Sequence, residues 1–388
     1  MTLLAESQSS GPRRFSPLGL LLALVLVFTC AAASRALRLE SRAGLPLMDD
    51  MKSFSQRARN ISWAHPFSTE MEPMTIWINR AAQETARRVG LPLNLAIRLG
   101  TFLISLATVI LVFFLARLWT SDLGAMAAAL YFGLSPIMNV YDVSGGRDTP
   151  YIFFLVAFSY TAFRPWARRW VQVLAMGISG GLMALTRLNG FFTLVVAGAA
   201  AWAKRRGRRL VLPWLVTLLV SLLLVGPFIT FVYRATGDPL YTLNVHADWH
   251  SAEDPAAKPV HSFWDFFFKE LGPVRLAQRM AKGAYLSLWG RVAQDSFFSR
   301  RSLPAGLYLL PFAAYLLGMA AAIRRRRWEP FLMILLATGP VWPLIAVGTD
   351  PRLLLGALPF MAVFLGMGVD LAWQPLRSRF LDRNRADK

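Results

Sequence analysis

The 388-residue chain holds a single cysteine, Cys30. One thiol excludes an intramolecular disulfide and any metal site built on cysteines. Charge is sparse as well: Asp, Glu, Lys and Arg make up 16% of the chain, where an ordinary soluble domain carries about a quarter. Acid is scarcer than base, 22 residues against 42, leaving a formal net charge of +20. Such an excess raises nucleic acid as a partner. The distribution argues against that partner, because most arginines stand in short tracts between apolar runs, where they read as topology signals. Glycine-rich phosphate loops and GxSxG elbows are absent, so nucleotide hydrolysis and serine-hydrolase chemistry lack support. No long-period repeat or low-complexity segment stands out.

What is abundant is apolar. Hydrophobic residues form 55% of the chain and the mean hydropathy is +0.43. Several runs approach the ~20 residues that cross a bilayer as a helix, and they are too long and uniform for barrel strands. The expectation is an all-α, polytopic membrane bundle of about ten spans, in one domain covering 1–388. The first run, "SPLGLLLALVLVFTCAAASRAL", also fits a cleaved signal peptide. With the N-terminus in the cytoplasm, the basic tracts "RPWARRW", "KRRGRR", "RRRR" and "RSRFLDRNR" all fall inside. The links "DVSGGRD", "RLNG" and "TDPR" fall outside with one arginine each. This is the positive-inside pattern, which puts both termini in the cytoplasm; the high arginine and alanine content points to a bacterial plasma (inner) membrane.

Two long polar stretches, 35–94 and 233–303, then lie outside. Within them "MTIWINRAAQETARRV" and "SFWDFFFKELG" mix apolar and charged residues at helical spacing, as helices on the interface do. The same face collects a limited set of ionisable groups. The first stretch offers Asp49, Asp50, His65, Glu70 and Glu72, and the links offer Asp142, Arg147, Asp148, Arg187, Asp350 and Arg352. The second stretch offers Asp238, His246, Asp248, His250, Glu253 and Asp254. A charge at a bilayer boundary is costly unless paired or hydrated, so a convergence of such charges points to a site. Taken singly, each is more simply a snorkelling charge that ends a helix. His246 and His250 in "HADWH" stand at i, i+4 and would share a helix face suited to a metal, yet the HExxH glutamate is missing. "NIS" at Asn60 fits the N-glycosylation pattern.

Read in order, "PLMDDMKSF", "TEMEPMTIWI", "SGGRDTPYIFFLVAFSY", "GLMALTRLNGFFTLV", "GDPLYTLNVHADWH" and "DPRLLLGALPFMAVFLGMGV" resemble the membrane-integral glycosyltransferases of the GT-C type. The resemblance is to the family of dolichyl-phosphate-mannose protein mannosyltransferases and aminoarabinose lipid A transferases. It covers most of the chain and rests on order more than on any single element. Leu353 stands where the family has an aromatic residue.

The resemblance implies transfer of a sugar from a polyprenyl-phosphate donor to a glycan, lipid or protein acceptor on the extracytoplasmic side. It implies Asp49 as the base, with Asp50 as neighbour or alternative. Glu72 is then the second acid, and Asp148 or Asp142 the acid of the next link. Glu72, Asp148 and Asp142 are the candidates for a divalent cation. Arg352 is the candidate for the donor phosphate, with Arg187 and Arg147 behind it and His246 and His250 as sugar or phosphate contacts. Two other readings stand beside this one: a transporter or flippase of a lipid-linked anion, and an inactive scaffold of the same fold. A transporter would place its charges at mid-membrane in repeated halves, which the sequence does not show.

Overall fold

The computed structural model describes residues 14–47, 49–203, 211–252, 262–266, 269, 271–289, 309–344 and 351–386. Among them every regular element is helical. Helix α1 (Pro17–Glu40) starts at Ser16, whose hydroxyl accepts from the Gly19 N–H, with Pro17 in the first turn, a position where a missing N–H costs nothing. Two surface helices follow, α2 (Asp49–Asn60) and α3 (Pro73–Val89). Then come α4 (Leu93–Ala116), α5 (Asp122–Leu134), α6 (Pro136–Asp142), α7 (Asp148–Phe163), α8 (Arg169–Thr186), α9 (Gly190–Ala203) and α10 (Val211–Thr236). Beyond these lie α11 (Tyr241–Ala252), α12 (Gly272–Leu288), α13 (Leu309–Arg324) and α14 (Glu329–Thr338). The short 3-10 segment Pro351–Ala357 leads into α15 (Leu358–Ala386).

Among the described residues, four stretches are long and apolar enough to cross a membrane: Pro17–Glu40, Leu93–Ala116, Val211–Thr236 and Arg352–Trp373. The pair α5–α6, bent by 61°, qualifies as a fifth if counted as one span. The sequence suggested about ten. The difference lies in runs that form shorter helices, such as α7 with its 16 residues. The bend between α5 and α6 falls at Ser135, whose hydroxyl accepts from the Met138 N–H ahead of Pro136.

The core is an apolar cluster on α4, α5, α7 and α15, with Val109, Phe113, Ala125, Phe132, Leu155 and Phe364 all fully buried. Glycine lets α15 approach its neighbours closely. A Cβ on Gly318 would overlap the Phe364 carbonyl oxygen, and one on Gly368 would overlap that of Ala314. The two backbones therefore cross with no side chain between them, the small-residue contact typical of membrane helices. A separate cluster of Phe54, Ala58, Ile61, Met71 and Ile76 seats α2 on α3.

The two ends of the bundle are fastened differently. At one, Asp122 takes Arg117 Nε at 2.7 Å and the Phe15 N–H at 2.6 Å, while Asp370 of α15 accepts from the Ser121 N–H at 2.5 Å. At the other, Arg35 is fully buried and its Nη2 lies 2.6 Å from Asp142 Oδ2. Arg98 donates from Nη1 to the Val143 carbonyl at 3.0 Å and from Nη2 to the Leu45 and Pro46 carbonyls at 3.2 Å each. That second end carries the candidate site.

Candidate active site

The charged residues at this end sit almost without exception at helix termini, where the chain turns and side chains can meet. Glu72 is the N-cap of α3, ahead of Pro73, and makes no capping bond of its own. Its carboxylate turns instead to the link before α7, where Arg147 is the N-cap and Asp148 occupies the first turn. Arg187 caps the C-terminus of α8 in extended backbone. Gly145, at φ +86, folds the link back so closely that a Cβ would strike Ile97, a conformation that L side chains rarely adopt. Thr101 Oγ1 accepts from the Gly145 N–H at 3.3 Å.

These termini join in a network. Arg147 Nη1 donates to Glu72 Oε2 at 3.1 Å and to His246 Nε2 at 2.7 Å. The other glutamate oxygen accepts from the Leu188 N–H at 3.4 Å. Arg187 pairs with Asp148 and lies over the Tyr151 ring at 5.2 Å. Arg147 and Arg352 are close enough to act on Arg187 as like charges. Arg352 Nη1 donates to Asp50 Oδ2 at 2.7 Å, across 302 residues of sequence. Glu72, Asp148 and Arg187 are each only 4–6% exposed.

The His246 tautomer follows from its partners. A guanidinium only donates, so Nε2 accepts from Arg147, and Nδ1 donates to the Thr242 carbonyl at 2.6 Å. Burial and Arg147 hold the His246 pKa below the usual histidine value despite Glu72, whose oxygen is 3.9 Å away. Burial alone would raise the Glu72 carboxyl; His246, Arg147, a backbone hydrogen bond and Arg187 together bring it below the ordinary value.

Of the residues singled out by sequence, the structure thus brings together Asp50, Glu72, Arg147, Asp148, Arg187, His246 and Arg352. Asp142 stands apart in its buried pair with Arg35, where Thr149 also donates to it at 3.2 Å. Asp49 and His250 lie on α2 and α11, and their side chains fall outside the described residues. Glu253, Asp254 and Asp350 fall outside them altogether. Glu70 pairs with Arg57, His65 is exposed, and Asp238 caps the turn into α11 by accepting from the Leu240 N–H at 2.8 Å. Arg35 and Arg98 escaped the sequence reading as positioning residues. An arginine inside an apolar helical run, as in "LAIRLG", is the signal that marks such a residue.

The carboxylates do not fit a divalent cation as they stand. Glu72, Asp148 and Asp142 are each held by an arginine. No group of three or more His, Cys, Asp or Glu side chains that could hold an ion occurs among the described residues.

The apolar helices mark the chain as an integral membrane protein, and the solved structures it superposes on give it the fold of the GT-C type glycosyltransferases. Residues 65–231, short of half the chain, match the family model of dolichyl-phosphate-mannose-protein mannosyltransferase. Among solved structures, the apo oligosaccharyltransferase of Archaeoglobus fulgidus superposes with a TM-score of 0.59 at 15% identity, over 96% of this chain and 52% of that one. ArnT from Cupriavidus metallidurans, bound to undecaprenyl phosphate, gives a TM-score of 0.60 at 18% identity, over 89% of this chain and 60% of that one. The chain therefore spans about half to three-fifths of the structures it resembles. No curated protein matches at a significant level.

Proposed function

We propose that the chain is an inverting glycosyltransferase. It moves a sugar from a polyprenyl-phosphate donor to a glycan, lipid or protein acceptor at the extracytoplasmic face of a plasma membrane, with both termini in the cytoplasm. The observation that carries the proposal is the meeting of Asp50, Glu72, Arg147, Asp148, Arg187 and Arg352, from separate segments, on one rim of an apolar bundle. Two of the similar structures were determined with polyprenyl phosphates, dolichol-phosphate in the Archaeoglobus enzyme and undecaprenyl phosphate in ArnT, which supports this donor class.

The donor joins an anionic phosphate to a tail that cannot leave lipid, so its headgroup must be handled beside the apolar layer. The acceptor oxygen or nitrogen attacks the anomeric carbon on the side away from the phosphate. The new bond forms as the bond from that carbon to the phosphate oxygen breaks, and its electron pair leaves with the lipid phosphate. A carboxylate takes the acceptor's proton. We assign that role to Asp49, with Asp50 beside it. Arg352 and Arg187 stabilise the leaving phosphate through their planar forks, and Asp50 holds Arg352 until the phosphate arrives. Arg147, shared between Glu72 and His246, contacts the sugar or phosphate.

The test is incubation of the purified chain, in lipid, with a panel of radiolabelled polyprenyl-phosphate sugars. Asp49→Asn and Asp50→Asn are compared with wild type. Transfer is expected with one donor, and one of the two variants is expected to lose it while keeping donor binding. Full turnover in both removes the base assignment. Turnover with no donor overturns the transferase reading in favour of a transporter or an inactive scaffold.

A further inference from the structure

Helix α2 presents a second polar face. Lys52, Ser55, Gln56 and Arg59 recur at i, i+3, i+4 and i+7 and so share one side of the helix, about half a turn from Asp50. They line a cleft of about 260 Å³ closed by Asn94 of α4 and by the 46–47 segment. The lining holds two cations and no carboxylate. That sets the cleft apart from the charged rim. Arg57, on the same helix, is paired to Glu70, and Arg80 to Glu84. Arg147, Arg187 and Arg352 are paired as well. Lys52 and Arg59 have no ion pair among the described residues. Gln56 and Asn94 add amides, groups that both donate and accept.

The depth of the cleft is set by α4. Asn94 belongs to the first turn of that 24-residue apolar helix, so the cleft opens where α4 leaves the apolar layer. Lipid headgroups lie at that level. The volume admits a phosphate with a short polar extension and is below the range of typical drug-sized pockets, about 300–1,000 Å³.

We propose that this cleft is a phosphate site for an anionic headgroup, distinct from the Asp50–Arg352 rim and separated from it by the thickness of α2. The phosphate sits between Lys52 and Arg59, and the amides take the adjoining polar atoms. The proposal does not depend on the transferase reading, since an inactive chain would bind the same group.

The experiment is calorimetric titration of the full chain, purified in neutral detergent, with dihexanoyl phosphatidic acid and separately with inorganic phosphate. The double variant Lys52→Gln/Arg59→Gln is compared with the charge-matched control Arg87→Gln/Arg88→Gln. Arg352→Gln is titrated as well, to lessen the contribution of the other rim. Saturable phosphatidate binding is expected in wild type, in Arg352→Gln and in the control. A loss of at least about tenfold is expected in the cleft variant, as for removal of two charge-assisted contacts. Competition by inorganic phosphate identifies the free anion as a ligand too. Absence of competition, with phosphatidate still bound, identifies the lipid as the source. Equal affinity in wild type and cleft variant overturns the proposal. So does an equal loss in cleft variant and control, or no binding by wild type.

Discussion

At the scale of single residues, the candidate site is governed by how few arginines hold so many groups. Arg147 serves Glu72 and His246 from one nitrogen. Lysine offers a point charge in place of a fork, so Arg147→Lys is expected to reduce transfer by roughly ten- to a hundredfold. Arg57→Lys, at the more exposed pair with Glu70, should leave the rate nearly unchanged; initial rates with whichever donor supports transfer check both. The His246 ring adds a pH dependence. Its folded pKa is depressed below 6.5, so the unfolded chain binds more protons than the folded one as pH drops under that value. The stability it contributes is present above about pH 6.5 and fades below it. Melting temperatures in detergent should therefore fall between about pH 7 and pH 5.5, and His246→Gln, which keeps an acceptor for Arg147, should flatten that fall. Elsewhere, Arg35→Leu leaves Asp142 buried without its partner. Breaking such a pair costs about 3–5 kcal/mol, so a markedly lower melting temperature is expected.

At the scale of elements, the helices that cross the bundle were legible because apolar runs of that length permit little else. Two features were not. Helix α2 lies in a stretch that reads as polar loop, since Phe54 and Ala58 are the apolar residues on its buried side, with Ile61 just past its end, and a stripe that narrow is lost among polar and charged neighbours. The bend between α5 and α6 was hidden because both halves are apolar, although Ser135 ahead of Pro136 carries the cue. The helical spacing of "MTIWINRAAQETARRV" in α3 and of "HADWH" in α11 was readable. The site was legible only as a set of residues: which arginine meets which carboxylate depends on chain ends brought together across the bundle, as Asp50 and Arg352 are. The α13–α15 crossing yields a prediction of its own. Gly318→Val and Gly368→Val each force the two backbones apart. Loss of monodisperse protein on gel filtration is expected for both, whereas valine at Gly226, which has open space around its Cα, should behave as wild type.

At the scale of the whole molecule, the orientation proposed above can be tested with the chain's one thiol. Replacing Cys30 by serine gives a cysteine-free background, and Ser62→Cys or Ala167→Cys probes one end each; both positions are exposed. The α7–α8 turn that holds Ala167 and the α2–α3 connection that holds Ser62 close opposite ends of the helices they join. An impermeant maleimide applied to intact cells is expected to label Ser62→Cys and spare Ala167→Cys. The reverse pattern would invert the topology and move the charged rim to the cytoplasm.

Arg98 grips the 45–46 backbone with one hand and the Val143 carbonyl with the other. The segment that leads to Asp49 and Asp50 and the link that carries Arg147 therefore ride on a single lever, the first turns of α4. If the bilayer thins or thickens and that helix tilts, both halves of the rim travel together, so their mutual spacing is insulated from the mechanics of the surrounding lipid.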